Sequence, residues 1–145
     1  MAVVTHIYDY YLHAMLTAGT TWTTDTIYVA LFSASTFTST DSSYTTSGTE
    51  VANGNGYTTG GVAAGTRTLS SAATDTQLAK ITGGSGTSTW TSSGSGFSAV
   101  AAKVYIQSGV PIAHVDFGGT QTASGGGTLT ITWDATNGVF NLASS

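Results

Sequence analysis

His114, Val115 and Asp116 are the residues of this chain best placed, by type and spacing, to do chemistry. Residues two apart in an extended strand project from one face, so the imidazole and the carboxylate would stand side by side. A serine opposite them would complete a nucleophile, a base and an orienting acid. The chain is rich in serine, however, and no Gly-x-Ser-x-Gly turn opens a helix, so an ordinary strand with a polar pair near its end is the plainer reading. His6 and His13 fall on a stretch of helical periodicity, where a rise of about 1.5 Å per residue sets them about 10 Å apart, too far to share a metal ion.

The other chemical groups are no more convergent. Asp25, Asp41, Glu50, Asp75, Asp116 and Asp134 are scattered and form no Asp-x-Asp-x-Asp-Gly calcium loop. The sequence favours no carboxylate pair for glycoside hydrolysis, whose partners are set by fold. Gly54-Asn55-Gly56-Tyr57-Thr58-Thr59-Gly60 lacks the spacing and the following helix of a dinucleotide loop, and Gly83-Gly84-Ser85-Gly86 lacks a phosphate-binding lysine. Trp22, Trp90, Trp133 and the tyrosines could stack on sugars, but their spacing suits a core or an interface better. No catalytic residue, cofactor or metal is expected.

Composition points the same way. Charged residues make up 7% of the chain, against about 25% in an average globular protein. The net charge of −4 leaves Arg67, Lys80 and Lys103 as the only basic side chains besides histidine. Three dispersed cations cannot displace the counterions of a polyphosphate, which argues against nucleic-acid binding. Threonine and serine carry the polarity, and threonine's branched side chain suits a pleated surface. There is no cysteine to form a disulfide or a thiolate metal site. Neither a basic, apolar leader nor a run of about 18 apolar residues is present, so a soluble protein without a secretion signal or membrane span is expected.

The 145 residues are expected to form one domain, mainly β, an antiparallel β-sandwich or barrel-like fold with one N-terminal helix. The helix is placed at 6–18, with Thr5 as N-cap, Asp9 in the first turns and Gly19 as the stop. Its tyrosine-rich face suits packing on the domain's own sheet first and on a neighbouring chain second. Thr26 to Phe32 is the strongest strand. Ile27, Val29 and Leu31 form one face and Tyr28, Ala30 and Phe32 the other, which predicts a central strand covered on both sides. Residues 33–49 read as a long Ser/Thr-rich loop or arm that orders only against a partner, of which Phe37 to Ser47 can be removed without unfolding the domain.

From Glu50 to Gly61 the glycines and asparagines predict a turn shaped by positive φ, with Gly54, Gly56, Gly60 and Gly61 as its structural residues and Tyr57 as an aromatic plug. Val62 to Leu69 and Gln77 to Ile81 follow as short strands, and Trp90 is the one large anchor in a Gly/Ser/Thr-rich stretch. Ala99 to Gln107 alternates, with Val100, Ala102, Val104 and Ile106 inward, and returns through Gln107–Pro111 into Ile112 to Phe117. Gly118 to Gly127 reads as a loop. Thr128 to Trp133 is a half-buried strand, and Val139 to Leu142 a short last one.

Asp25-Thr26-Ile27-Tyr28-Val29-Ala30-Leu31-Phe32, then Glu50 with Gly54-Asn55-Gly56-Tyr57-Thr58-Thr59-Gly60-Gly61, resembles a family of small phage virion proteins. Trp90, the hairpin from Ala102 to Ile112, His114-Val115-Asp116-Phe117-Gly118, Thr130 to Trp133 and Gly138 to Leu142 extend the resemblance over nearly the whole chain. The Ser/Thr-rich 33–49 stretch departs from the acids and prolines associated with such relatives. The resemblance implies a non-enzymatic virion component. The expected function is a capsid cement or decoration protein on the head surface, binding the major capsid protein and copies of itself. A tail- or fibre-associated protein that binds a host receptor or glycan is the alternative, and an unrecognised hydrolase a distant third. Tyr10, Tyr11, Phe37, Tyr44 and Trp90 are the candidate partner-binding residues. In the alternative, Trp90 and the Gly118–Gly127 loop form the recognition surface.

Overall fold

The computed structural model describes residues 4–17, 24–71, 76–81, 86–134 and 140–143. The architecture is mainly β, antiparallel and sandwich-like, with one N-terminal helix. In chain order the elements are β1 (Val4–Ile7), α1 (Asp9–Thr17), β2 (Ile27–Ser35), β3 (Gly48–Glu50), β4 (Val62–Ala63), β5 (Arg67–Ser71), β6 (Thr76–Ile81), β7 (Thr87–Thr91), β8 (Phe97–Ile106), β9 (Pro111–Ala123), β10 (Thr128–Thr132) and β11 (Phe140–Ala143). A six-stranded sheet runs β1-β9-β8-β2-β3, with β4 also paired to β2. β10 pairs with β7, and β11, β6 and β5 form a third sheet.

β2 is central, as its two apolar faces predict. Ile27, Val29 and Leu31 enter the main core with Ala102, Val104, Ala113 and Val115, and with Trp90, Leu129 and Trp133 from the β7–β10 side. This is the inner face of the six-stranded sheet. On the outer face Ala30, Phe32, Ala101 and Tyr105 form a smaller cluster with Tyr28, Tyr44 and Val100 against it. Burying one Leu or Phe side chain is worth roughly 1.5–3 kcal/mol, so the many-membered inner cluster supplies most of the stability.

Four expectations need correction. Residues 4–7 form a strand, not the start of a helix, and Thr5 pairs with Val115 and so is not an N-cap. Val4, Thr5 and Ile7 are β-branched and lose side-chain freedom in a helix, while the edge of β9 offers them a ladder. The helix begins at Asp9, where the Tyr8 carbonyl accepts from the amides of Tyr11 and Leu12. Gly19, the expected stop, lies outside the described residues, as do Trp22, Asp75 and the 82–85 glycine run. β9 runs through to Ala123, so most of the expected Gly118–Gly127 loop is strand, held by pairing with Phe97–Ala99. Val100 lies on the outer face and not inward, because a register shift between Ala99 and Ala101 breaks the alternation.

The fourth correction concerns 33–49, which is no free arm. Ser33 to Ser35 belong to β2 and Gly48 to Glu50 to β3, and the segment between folds over the outer face. Thr36 N–H donates to Ser47 O (2.9 Å), Asp9 N–H to Ser39 O (2.9 Å) and Tyr44 N–H to Gly109 O (2.9 Å). The Tyr44 ring stacks on Tyr105 with centroids 3.8 Å apart, and Phe37 stacks on His6 at 4.7 Å. Removing this cover would expose the outer core, so the segment is an ordered part of the fold.

The Glu50–Gly61 turn has the predicted conformation: Gly54, Asn55, Gly56, Gly60 and Gly61 all hold positive φ. Two of these glycines also meet backbone. A Cβ on Gly56 would overlap the Thr91 carbonyl oxygen, and one on Gly61 the Val29 carbonyl oxygen, whereas Gly54 faces open space. Gly56→Ala and Gly61→Ala should therefore each cost more than ~2 kcal/mol, strain and overlap together, and Gly54→Ala only about 1 kcal/mol of strain. Urea denaturation of the three variants checks the ranking, and equal losses at all three would refute the close approach.

Candidate functional site

Two clusters of polar side chains stand out. The first is built on the glycine turn. β3 pairs with β2 at Phe32, Ala34 and Ser35, and β4 pairs with it at Tyr28 and Val29. Between these two short strands the ladder breaks at Leu31. The Leu31 carbonyl accepts from Val51 N–H at 2.9 Å, and its N–H donates to the Tyr57 hydroxyl oxygen at 3.0 Å. Tyr57 in turn donates to Glu50 Oε1 at 2.6 Å, and the same oxygen accepts from Gly60 N–H at 2.6 Å. Tyr105 then donates to the Gly60 carbonyl at 2.8 Å.

The turn thus supplies a side chain to finish a strand edge that its own backbone cannot reach. Gly54 and Tyr57 exchange backbone hydrogen bonds (2.8 and 2.9 Å), which fixes the loop that aims the tyrosine. The Tyr57 ring is buried and tilts against Phe97 at 6.0 Å. Burial first, and then its bond to Glu50, push the phenol well above its ordinary range, so it keeps its proton and stays a donor.

The second cluster lies beneath Thr36–Ser47. The sheet register sets His6, His114 and Lys103 in one row across β1, β9 and β8. Lys103 is fully buried, and its Nζ donates to the Thr46 carbonyl and sits 4.7 Å from the Phe32 ring centroid. That cation–π contact is worth roughly 0.5–2 kcal/mol, small against the cost of burying an ammonium. Burial accordingly lowers the Lys103 pKa, with Asp41 opposing the shift. Asp41 is itself buried and accepts from Ser47 Oγ at 3.1 Å through Oδ1. His114 Nε2 shares a 2.9 Å hydrogen bond with Ser35 Oγ. Three buried atoms here have no hydrogen-bond partner: Tyr8 Oη, Asp41 Oδ2 and His114 Nδ1.

The structure therefore brings a serine to His114 but not the expected carboxylate. Asp116 is exposed, and its Oδ1 accepts from Gly118 N–H at 2.8 Å, while His114 Nδ1 is left without an orienting acceptor. His6 and His13 are not on one helix. His6 is stacked on Phe37 from β1, and His13 is exposed on α1 beside Thr17. Among the described residues no group of three or more His, Asp or Glu could hold a metal ion.

The candidate contact residues separate by burial. Tyr11 is fully buried and Trp90 is 3% exposed, so neither presents a ring to a partner. Phe37 and Tyr44 are half-buried and spend their faces on His6 and Tyr105. Tyr10, 40% exposed, is the one large ring of the set on the surface, with Leu16 exposed on the same helix. A groove of about 670 Å3 runs along β10, lined by Val115, Phe117, Gln121, Thr122 and the strand itself. Residues passed over in the sequence are Tyr8, Ser35, Asp41 and Lys103. The available signals were a lysine amid the apolar residues of a strand, and a lone acid inside a Ser/Thr run.

Tyr57→Phe keeps the ring and removes the hydroxyl, leaving the buried Leu31 amide without an acceptor. It should cost about 1–3 kcal/mol in urea denaturation, and unchanged stability would show that the hydroxyl does not hold the edge. No protein-family model matches the chain, and no curated protein or solved structure matches it significantly.

Proposed function

We propose that this chain is a non-enzymatic phage virion structural protein, a cement or decoration subunit on the head surface. It would bind the major capsid protein and copies of itself. One observation carries the reading: the residues that bear the family resemblance form a brace. Glu50, Gly60 and Tyr57 close the edge of the central strand, with glycines seated against neighbouring backbone. His114, Lys103 and Asp41 are likewise engaged with Ser35, Thr46 and Ser47 beneath a cover. Polar groups used this way are spent within the fold and leave a surface that is Ser/Thr-rich and sparsely charged, which suits repeated lattice contacts. A subunit that binds the assembled shell and not its free components stabilises the shell by mass action.

The β10 groove favours the second reading, a tail- or fibre-associated protein that binds a host glycan or receptor. Its threonine hydroxyls and Gln121 beside Leu129 and Phe117 offer a sugar both hydrogen bonds and an apolar floor. Trp90, being buried, plays no part in it.

Copy number separates the two. Quantitative mass spectrometry of purified particles should find this chain at a stoichiometry comparable to the major capsid protein, and particles lacking it should lose DNA at a lower temperature. A few copies per particle, with purified protein blocking adsorption to cells, would replace the shell reading with the tail one.

A further inference from the structure

We propose that Thr36–Ser47 is a proton-operated latch, closed over the outer face while His114 is neutral and opened when His114 takes up a proton. This stands independently of where the protein acts. His114 is 3% exposed, and the groups facing it come from every neighbouring element. Lys103 stands beside it from β8, His6 from β1 and Asp116 from its own strand, while Asp41 and Phe37 reach it from the latch. Ser35 Oγ at the end of β2 holds Nε2, and Nδ1 meets no acceptor. An added proton would therefore sit buried next to the Lys103 ammonium. The one carboxylate the latch brings is Asp41, which already balances that lysine.

The strain falls on the latch because Thr36 to Ser47 have no strand or helix of their own to hold them. It is tied by the Thr36, Asp9 and Tyr44 backbone hydrogen bonds and by the Lys103 bond to Thr46. β2, β8 and β9 are held to one another by long ladders and have the inner core behind them. Opening the latch uncovers the outer cluster, lifts Phe37 from Tyr8 and hydrates Lys103, but leaves the β2–β8–β9 ladders in place, so it costs less than unfolding.

Burial first, and then Lys103, lower the His114 pKa from 6.5 to about 4 in the closed state. The closed state thus binds fewer protons than the open one. Its stability is full above pH 6.5 and is lost as pH falls from 6.5 toward about 4. The open-to-closed ratio should rise on the order of a hundredfold across that window.

Hydrogen exchange read by mass spectrometry on the intact protein, at neutral pH and near pH 5, tests this after correction for intrinsic exchange. Peptides covering 36–47 should lose protection at the lower pH while β2 and β8 keep theirs. His114→Gln, which cannot charge, should hold the latch closed at both. Retained protection of 36–47 in the unaltered protein, or the same loss in His114→Gln, would overturn the latch. The ring signals of His114 in the unaltered protein give a reading that needs no variant. Protonation without any change at 36–47 would equally overturn it.

Discussion

Leu31 N–H is the group on which the arrangement of this domain turns. A buried strand must pair every amide, and an unpaired one costs about as much as a lost hydrogen bond. β3 and β4 are too short to cover β2 between them, so the break has to be closed from elsewhere. Tyr57 closes it with its hydroxyl oxygen, and the hydroxyl in turn donates to Glu50. Everything in the turn follows from delivering the ring to that point. The glycines permit a path that passes within contact of the Thr91 and Val29 carbonyls, and Asn55 O anchors it to Ser93 N–H at 2.8 Å. The turn links three parts of the molecule: the β3–β4 edge, the start of the β7–β8 connection and Tyr105 on the outer face.

What the sequence made legible was whatever rests on short-range rules. β2 announced its two apolar faces, Ala99 to Ile112 its hairpin, and Thr128 to Trp133 its half-buried alternation. The positive-φ turn was written in its glycines and asparagines. The misreadings share a cause, which is dependence on a distant partner. Val4 to Ile7 sit beside a good helical pattern and become a strand because β9 has an open edge. Thr87 to Thr91 lay in the Gly/Ser/Thr-rich stretch around Trp90 with no strand expected, and pair with Thr128 to Thr132. Gly118 to Ala123 carry little apolar signal, yet the ladder with Phe97 to Ala99 holds them extended.

The same dependence hid the second cluster. A serine- and threonine-rich run reads as solvated, because neither residue alone demands burial. Phe37, Asp41 and Tyr44 were the exceptions within it, and they are the residues that turn the run inward. Asp41 reaches Ser47 to close the segment on itself, while Phe37 lies over His6 and His114. Lys103 completes the arrangement from below. A lysine between Ala102 and Val104 reads as an exposed position on an alternating strand, and it would be one if the segment above were absent.

The two faces of the central sheet are therefore held by different physics. The inner face is mainly apolar, from Ile27 to Trp133, and its buried Trp133–Ser88 hydrogen bond joins two neutral groups. The outer face is closed by a lysine, an aspartate and a histidine within electrostatic range of one another, with Tyr8 Oη, Asp41 Oδ2 and His114 Nδ1 unpartnered. Such a cluster gives little net stability, because desolvation consumes most of the attraction between its charges. It does impose a condition, since the cover fits only one set of protonation states. An apolar trio at these positions would close the outer face more firmly and at every pH. With the inner core holding the strands in place, the polar set makes the cover of the outer face conditional without putting the fold at risk.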